Sequence, residues 1–352
     1  MSLTDLLLEL LQMPCVTGEE GPVADWLAER YRDEPLRRVG DSVVVGEPRP
    51  GHPTVLLVSH TDVVPPTDAD RLPRKESRGH QEARIVGRGA SDMKAGMAVA
   101  LDCFDDPALR RGPYAPVLVC YAGEEGSHVG NQLGRVLDAV DFVRAAELAV
   151  VLEPTDLTVQ LGCLGGLHAE LTFAGRAAHS ARPWQGDNAL TAAGTFLAGL
   201  HDREPEDVEV DGLVFREVVT ATAAWTTNAR NVVPDRFVVS VNYRFAPDKT
   251  LAGAEGRLRD LVAGRAVVDV VDRAPPGRPR RDAPLVDAFA RHAGGRVAPK
   301  QAWTDVARLD QAGIPALNYG PGLTAQAHQS GEYVPEANLA TARDVVGRFL
   351  AG

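Results

Sequence analysis

Over the first 165 residues, short runs of continuously apolar positions alternate with stretches patterned for helices. The runs are "TVLLVSH" (54–60), "APVLVCYAG" (115–123) and "ELAVVLEP" (147–154). Strands that are apolar on both faces and separated by helices predict a mostly parallel sheet covered on both sides, an α/β architecture. After Gly165 the pattern changes. "GLHAELTFAG", "EVVTATAAW" and "DRFVVSVNYRFAP" alternate apolar and polar positions, as strands with one solvated face do. Between them "DNALTAAGTFLAGL", opened by Asp187 as N-cap, and "LAGAEGRLRDLVAG" read as two helices. Strands plus two helices in this length predict a small α+β domain. The Pro- and Arg-rich "RAPPGRPRRDAP" (273–284) reads as a linker, and "GIPALNYGPG" (313–322) as one more aliphatic strand. The chain is therefore expected to return to its first domain, with residues 1–165 and 278–352 forming one domain and residues 166–277 inserted as a lid.

Length agrees with this division, since 352 residues at 44% hydrophobic are too many for one ordinary core. A net charge of −11 argues against a nucleic-acid or anionic-membrane surface. The leucine-rich start is interrupted by Asp5 and Glu9 and is followed by no cleavage site, so it predicts an amphipathic helix and not a signal peptide. No segment approaches the roughly 20 apolar residues of a membrane span. Cys15, Cys103, Cys120 and Cys163 form no CxxC pair, and they read as buried reduced thiols of a cytoplasmic protein.

In open α/β sheets, binding residues collect beyond the carboxyl ends of the strands. Here the aliphatic runs end at His60 and Asp62, at Glu124 and Glu125, and at Glu153. Asp92 sits in the loop "GRGASDMKAG", and His328 follows the returning strand in "AHQSGEYVP". Any one strand-end acid is ordinarily a solvated cap. A whole set at one sheet edge would repel unless cations neutralised it, and carboxylates mixed with imidazoles suit zinc, with cobalt or manganese as possible substitutes. We assign His60, Asp92 and Glu153 to one metal and Asp92, Glu125 and His328 to a second, with Asp92 bridging. Asp62 would orient the imidazole of His60. Glu124, left without a metal, would serve as general base, taking a proton from water and delivering it to a leaving amine.

His179, in "RAAHSARPWQGDNAL", is as readily structural as a substrate contact. Arg244 shares a polar strand face with Ser240 and Asn242, where either a surface ion pair or a grip on a substrate carboxylate would account for it. His52, His80, His128, His168, His201 and His292 lack motif context.

The motifs "SHTDVVP", "GRGASDMKAGMA", "AGEEG", "LEPT", "AHSARPWQGDNA", "NVVPD", "NYRFAPD", "WTDVARL" and "AHQSGEYVP" run over nearly the whole chain in order. Together they resemble the dizinc deacylase and exopeptidase superfamily, which includes succinyl-diaminopimelate desuccinylases, acetylornithine deacetylases, aminoacylase and carboxypeptidases. The likeness is greatest to desuccinylases of the actinobacterial type. The resemblance implies a zinc-exopeptidase-like catalytic domain with a ferredoxin-like lid that forms a homodimer. It also implies a small-molecule N-acyl amino acid as substrate, two zinc ions, and a cis peptide after Asp92. It further implies that His179 stabilises the oxyanion in the neighbouring subunit's site, and that Arg244, Asn231, Arg182 and Gly322 bind substrate. Two stretches depart from the pattern. "CLGGLH" has no arginine where better-known desuccinylases use an Arg-Gly-Ser stretch, and "DRLPRKESRGHQEARIVGRG" replaces a Trp-Pro-Phe element. Acetylornithine deacetylase, a lysine-pathway deacylase and a dipeptidase or carboxypeptidase are the alternative activities, and an inactive metal-binding homologue is the non-enzymatic one.

Overall fold

A computed structural model of the chain describes residues 1–13, 15–77 and 82–352; His80 lies outside the described residues. The chain divides into two compact units: Met1–Gly162 with Pro279–Lys300 and Thr304–Gly352, and Cys163–Arg278 with Gln301–Trp303.

The first unit is built on an eight-stranded mixed sheet. Its order is Leu36–Val39, Ser42–Val45, Ala115–Tyr121, Thr54–His60, Leu148–Val151, Ala316–Asn318, Val159–Leu161, Val297–Pro299. The four strands from Ala115–Tyr121 to Ala316–Asn318 are mutually parallel. Thr54–His60 and Ala115–Tyr121 are buried at every position, because helices cover both of their faces. Register brings the strand ends level: His60 pairs with Tyr121, Val58 with Val151, and Val151 with Asn318. The residues that follow these strands therefore emerge side by side. From Thr54–His60 the chain passes to the strand on one side, and then crosses to Leu148–Val151 on the other, the reversal at which open sheets form a crevice.

The amphipathic start forms the helix Leu3–Gln12, closed by a Ser2/Asp5 capping box and burying Leu6, Leu7, Leu10 and Leu11. The helix Lys94–Asp105 is buried along nearly its whole length and packs on the central strands. Its Gly96 lets this close approach happen, since a Cβ there would overlap the carbonyl oxygen of Leu152. No helix among the described residues is long and apolar enough to cross a membrane.

The second unit carries a five-stranded antiparallel sheet ordered Glu206–Val210, Leu213–Trp225, Arg236–Phe245, Gly165–Ala174, Val267–Ala274. Without the first hairpin strand, this is the order 2-3-1-4 of a β-α-β-β-α-β ferredoxin-like sheet. One face holds Leu167, Leu171, Phe173, Val239, Val241 and Phe245 against the helices Gly194–His201 and Leu251–Val262. Asn188, not Asp187, caps the first helical turn, Ala189–Ala192. Its Oδ1 accepts from Leu190 N and Thr191 N, while Asp187 N and O pair with Arg176 O and N. Gln301–Trp303 joins this unit because Gln301 bonds Val214 O and Arg216 N, and Trp303 Nε1 bonds Pro275 O.

The two kinds of helical glycine predict opposite outcomes in urea melts. Gly96→Ala is expected to cost about 1–3 kcal/mol or more through overlap with Leu152. Gly199→Ala, in a helix with open space around the added methyl, is expected to stabilise by up to about 1 kcal/mol.

Candidate metal centre and active site

Four adjacent strand ends deliver the site. His60 is the last residue of its strand and is buried, and Glu124, Glu125 and Glu153 follow theirs within four residues. Asp92 stands just before the buried helix, with the Asp92–Met93 peptide in the cis form. His328 lies in the loop after Ala316–Asn318 with a φ of 60°, a left-handed conformation that a non-glycine residue holds only when its surroundings impose it.

Three donor sets converge, and Asp92 belongs to two of them. These are His60, Asp92 and Glu153, and Asp92, Glu125 and His328; the third joins His60 and Glu125 to Glu124, the residue expected to stay off the metal, with the donor atoms of each set within 4.8 Å of one another. His60 Nε2 lies 3.2 Å from Asp92 Oδ1 and 3.9 Å from Glu153 Oε1. His328 Nε2 lies 2.9 Å from Glu125 Oε2 and 3.6 Å from Asp92 Oδ2. All five residues expected to bind metal are thus brought together.

Asp62 lies against the imidazole it is expected to orient. The Nδ1 of His60 is 3.0 Å from the backbone carbonyl of Asp62 and 3.6 Å from its carboxylate, so both hold the imidazole with Nε2 turned to Asp92 and Glu153. The carboxylate also accepts from Glu124 N and Glu125 N at 3.0 Å each and from Thr17 Oγ1 at 2.9 Å. It therefore holds the loop that carries both glutamates. Burial opposes the charge on Asp62, but His60 and these amides outweigh it and lower its pKa to about 2.

Electrostatics within the cluster follow from crowding. Burial, then the neighbouring Glu153 and Glu125, push Glu124 well above the usual carboxylate range despite the pull of His60. Glu153 is raised by burial to about 7. Burial works against a charged His60, yet its bonds to Asp62 and Asp92 raise it well above 6.5.

Buried supports invisible in a linear reading complete the site. Glu332, 1% exposed, accepts from Gly89 N, Ser91 N and Asp92 N at 2.7–2.9 Å and pairs with Arg88 at 2.9 Å. It thereby clamps the loop of Asp92. Arg88 also pairs with Asp70 at 3.2 Å, whose carboxylate accepts from Thr67 and Gly331. Asp305, in "WTDVARL", accepts from Tyr121 Oη at 2.7 Å and Asn131 Nδ2 at 2.6 Å, on either side of the Glu124 loop. The one sequence signal for these was their position inside motifs. Gly322 is buried, and a Cβ there would overlap the Ser91 carbonyl, so this glycine seats its loop against that of Asp92.

A fit to metal follows from the partners of each acid. Asp62 and Glu332 are satisfied by N–H and O–H donors, whereas Asp92 and Glu125 meet the imidazoles of the same donor sets. Oxygen and imidazole donors in two sets of three suit a pair of divalent cations such as zinc.

The second unit carries a separate group of predicted residues. His179 is exposed, in a two-residue strand paired with Val232–Val233, and Ser180 N bonds Asn231 O. The His179 Nδ1 accepts from Ala181 N at 3.1 Å, which places the proton of the neutral ring on Nε2. Arg182 N bonds His179 O in the same loop. Arg244 lies half-buried on the polar sheet face with Asn242 and His168.

The profile of peptidase family M20/M25/M40 matches residues 56–352. A Mycobacterium tuberculosis (strain CDC 1551 / Oshkosh) protein with the provisional name succinyl-diaminopimelate desuccinylase DapE is 35% identical over 99% of this chain and 98% of its own. The succinyl-diaminopimelate desuccinylase of Corynebacterium glutamicum is 32% identical over 97% of this chain and 94% of its own. Among solved structures, a tripeptidase from Staphylococcus aureus superposes with a TM-score of 0.80 at 18% identity, covering 99% of this chain and 97% of the other.

Glu332→Gln is expected to cost about 1–3 kcal/mol in chemical denaturation, because it leaves Arg88 with Asp70 alone and sets an amide NH2 against backbone N–H groups that the carboxylate accepted from. It should also weaken metal retention about 10–100-fold, as loss of an outer support typically does; chelator competition reads the second effect.

Proposed function

Because this chain belongs to peptidase family M20/M25/M40, a family of metal-dependent hydrolases, we propose that it hydrolyses the amide of an N-acyl amino acid. The substrate we favour is N-succinyl-LL-2,6-diaminopimelate, giving diaminopimelate and succinate. The observation that carries the reading is the pair of donor sets sharing Asp92 at four level strand ends. Desuccinylases aligned over nearly the full chain support the substrate.

His60, Asp92 and Glu153 would hold one zinc, and Asp92, Glu125 and His328 the other; when bound, the pair supplies Lewis acidity toward the carbonyl and toward water. Glu124 moves the proton. Its carboxylate takes one from the attacking water and gives it to the amide nitrogen as the carbon–nitrogen bond breaks. Asp62 keeps that carboxyl in place through the amide of its own residue. The Nε2 proton of His179 suits an oxyanion donor, which we assign to the reacting carbonyl of a second subunit. Arg244, Asn231 and Arg182 supply polar groups for substrate carboxylates, with Gly322 in the wall beside Asp92.

A homodimer formed by the second unit is part of this proposal. The strand Leu213–Trp225 pairs with Glu206–Val210 through residues 213–217 only, and the exposed run beyond, ending in Trp225, offers a strand edge. We place the reaction in the cytoplasm, which accords with four buried cysteines that form no disulfide.

A panel of succinyl-diaminopimelate, acetylornithine and a dipeptide tests the substrate. Fastest turnover, by kcat/KM, is expected for the first; preference for either of the others would redirect the assignment. Glu124→Gln should retain two metals per chain by elemental analysis while kcat falls about 10²–10⁴-fold, and undiminished turnover would refute the role of Glu124.

A further inference from the structure

Glu153 turns its two carboxylate oxygens in different directions. Oε1 lies 3.9 Å from His60 Nε2, toward the converging donors. Oε2 lies 3.6 Å from the Nζ of Lys300, which is 5% exposed. Lys300 follows the edge strand Val297–Pro299, which runs parallel to Val159–Leu161, and its ammonium donates to the carbonyl of Pro154 at 2.9 Å. The lysine is thus fastened to the residue next to Glu153 and forms an ion pair with one oxygen of that carboxylate. Desolvating an ammonium is costly unless it is paired, so this placement needs a physical reason. The reaction steps above make no use of Lys300.

We propose that Lys300 is a positioning residue that withholds Oε2 of Glu153 from the cation held with His60 and Asp92, leaving Oε1 as the donor. The inference rests on the two-metal reading of the site. A carboxylate free on both sides can chelate a cation with two oxygens, whereas one held by an ammonium offers a single oxygen and less donor charge. The ammonium also repels the cation directly. Both effects loosen the metal and keep its coordination from being filled by protein, the condition of a catalytic site as opposed to a structural one.

The experiment is zinc release from the full-length protein to a chromophoric chelator, with zinc per chain measured first. Lys300→Gln keeps a donor for the Pro154 carbonyl but removes the charge, Lys300→Met removes both, and Lys300→Arg keeps the charge. The Gln and Met variants are expected to release one of the two zincs about 10-fold more slowly or beyond, because a neighbouring positive charge no longer repels the cation, and the Arg variant at a rate close to wild type. Unchanged or faster release from a folded Gln variant overturns the proposal and leaves Lys300 as a fastener of the backbone. A Gln variant that does not fold overturns it in the same way. Fewer than two zincs on the wild-type chain would instead refute the two-metal reading itself.

Discussion

Mutual repulsion among carboxylates at one sheet edge is the constraint on which the rest of this structure depends. Asp92, Glu124, Glu125 and Glu153 emerge from neighbouring strand ends into a space small enough that donor atoms of three residues fall within 4.8 Å. Burial, and behind it the neighbouring carboxylates, raises the pKa values of Glu124 and Glu153, while that of Asp92, against its own burial, is lowered by the bond to His60. A pair of divalent cations, as proposed above, would relieve the repulsion and make the same crowding a hydrolytic site.

The acids around this edge fall into two kinds, distinguished by what their oxygens touch. Asp62, Glu332 and Asp305 spend theirs on backbone amides, a tyrosine hydroxyl, an asparagine amide and arginines, and so hold the loops bearing Glu124, Glu125 and Asp92. Asp92, Glu125 and Glu153 face imidazoles. Satisfied carboxylates make the frame, and metal-seeking ones make the centre. Glycines set the spacing between them: Gly96 and Gly322 let the Lys94–Asp105 helix and the returning loop approach within side-chain exclusion distance.

Much of the fold was legible because its signals are local. Continuous apolar runs marked the buried strands, alternation marked the half-solvated sheet of the inserted unit, and strand-end placement marked His60, Glu124, Glu125 and Glu153. The misplaced cap at Asp187 shows the limit of local reading: Asp187 and Asn188 are equally good caps by type, and the pairing of Asp187 with Arg176 decided between them. Nor does a local reading show that the Asp62 carboxylate, beside His60, also accepts from the amides of Glu124 and Glu125, some sixty residues on.

By itself, the sequence determined the architecture of both units and the identity of the five candidate metal donors. Hydrophobic periodicity and strand order are properties of neighbouring residues, so they survive in a linear string. Only the tertiary structure decided which acids are clamps, which imidazole nitrogen is turned to the metal side, and that Arg88 and Lys300 are buried beside the carboxylates they pair with. Those outcomes depend on burial and on contacts between residues up to 244 positions apart, and desolvation and pairing have no meaning until the chain has folded.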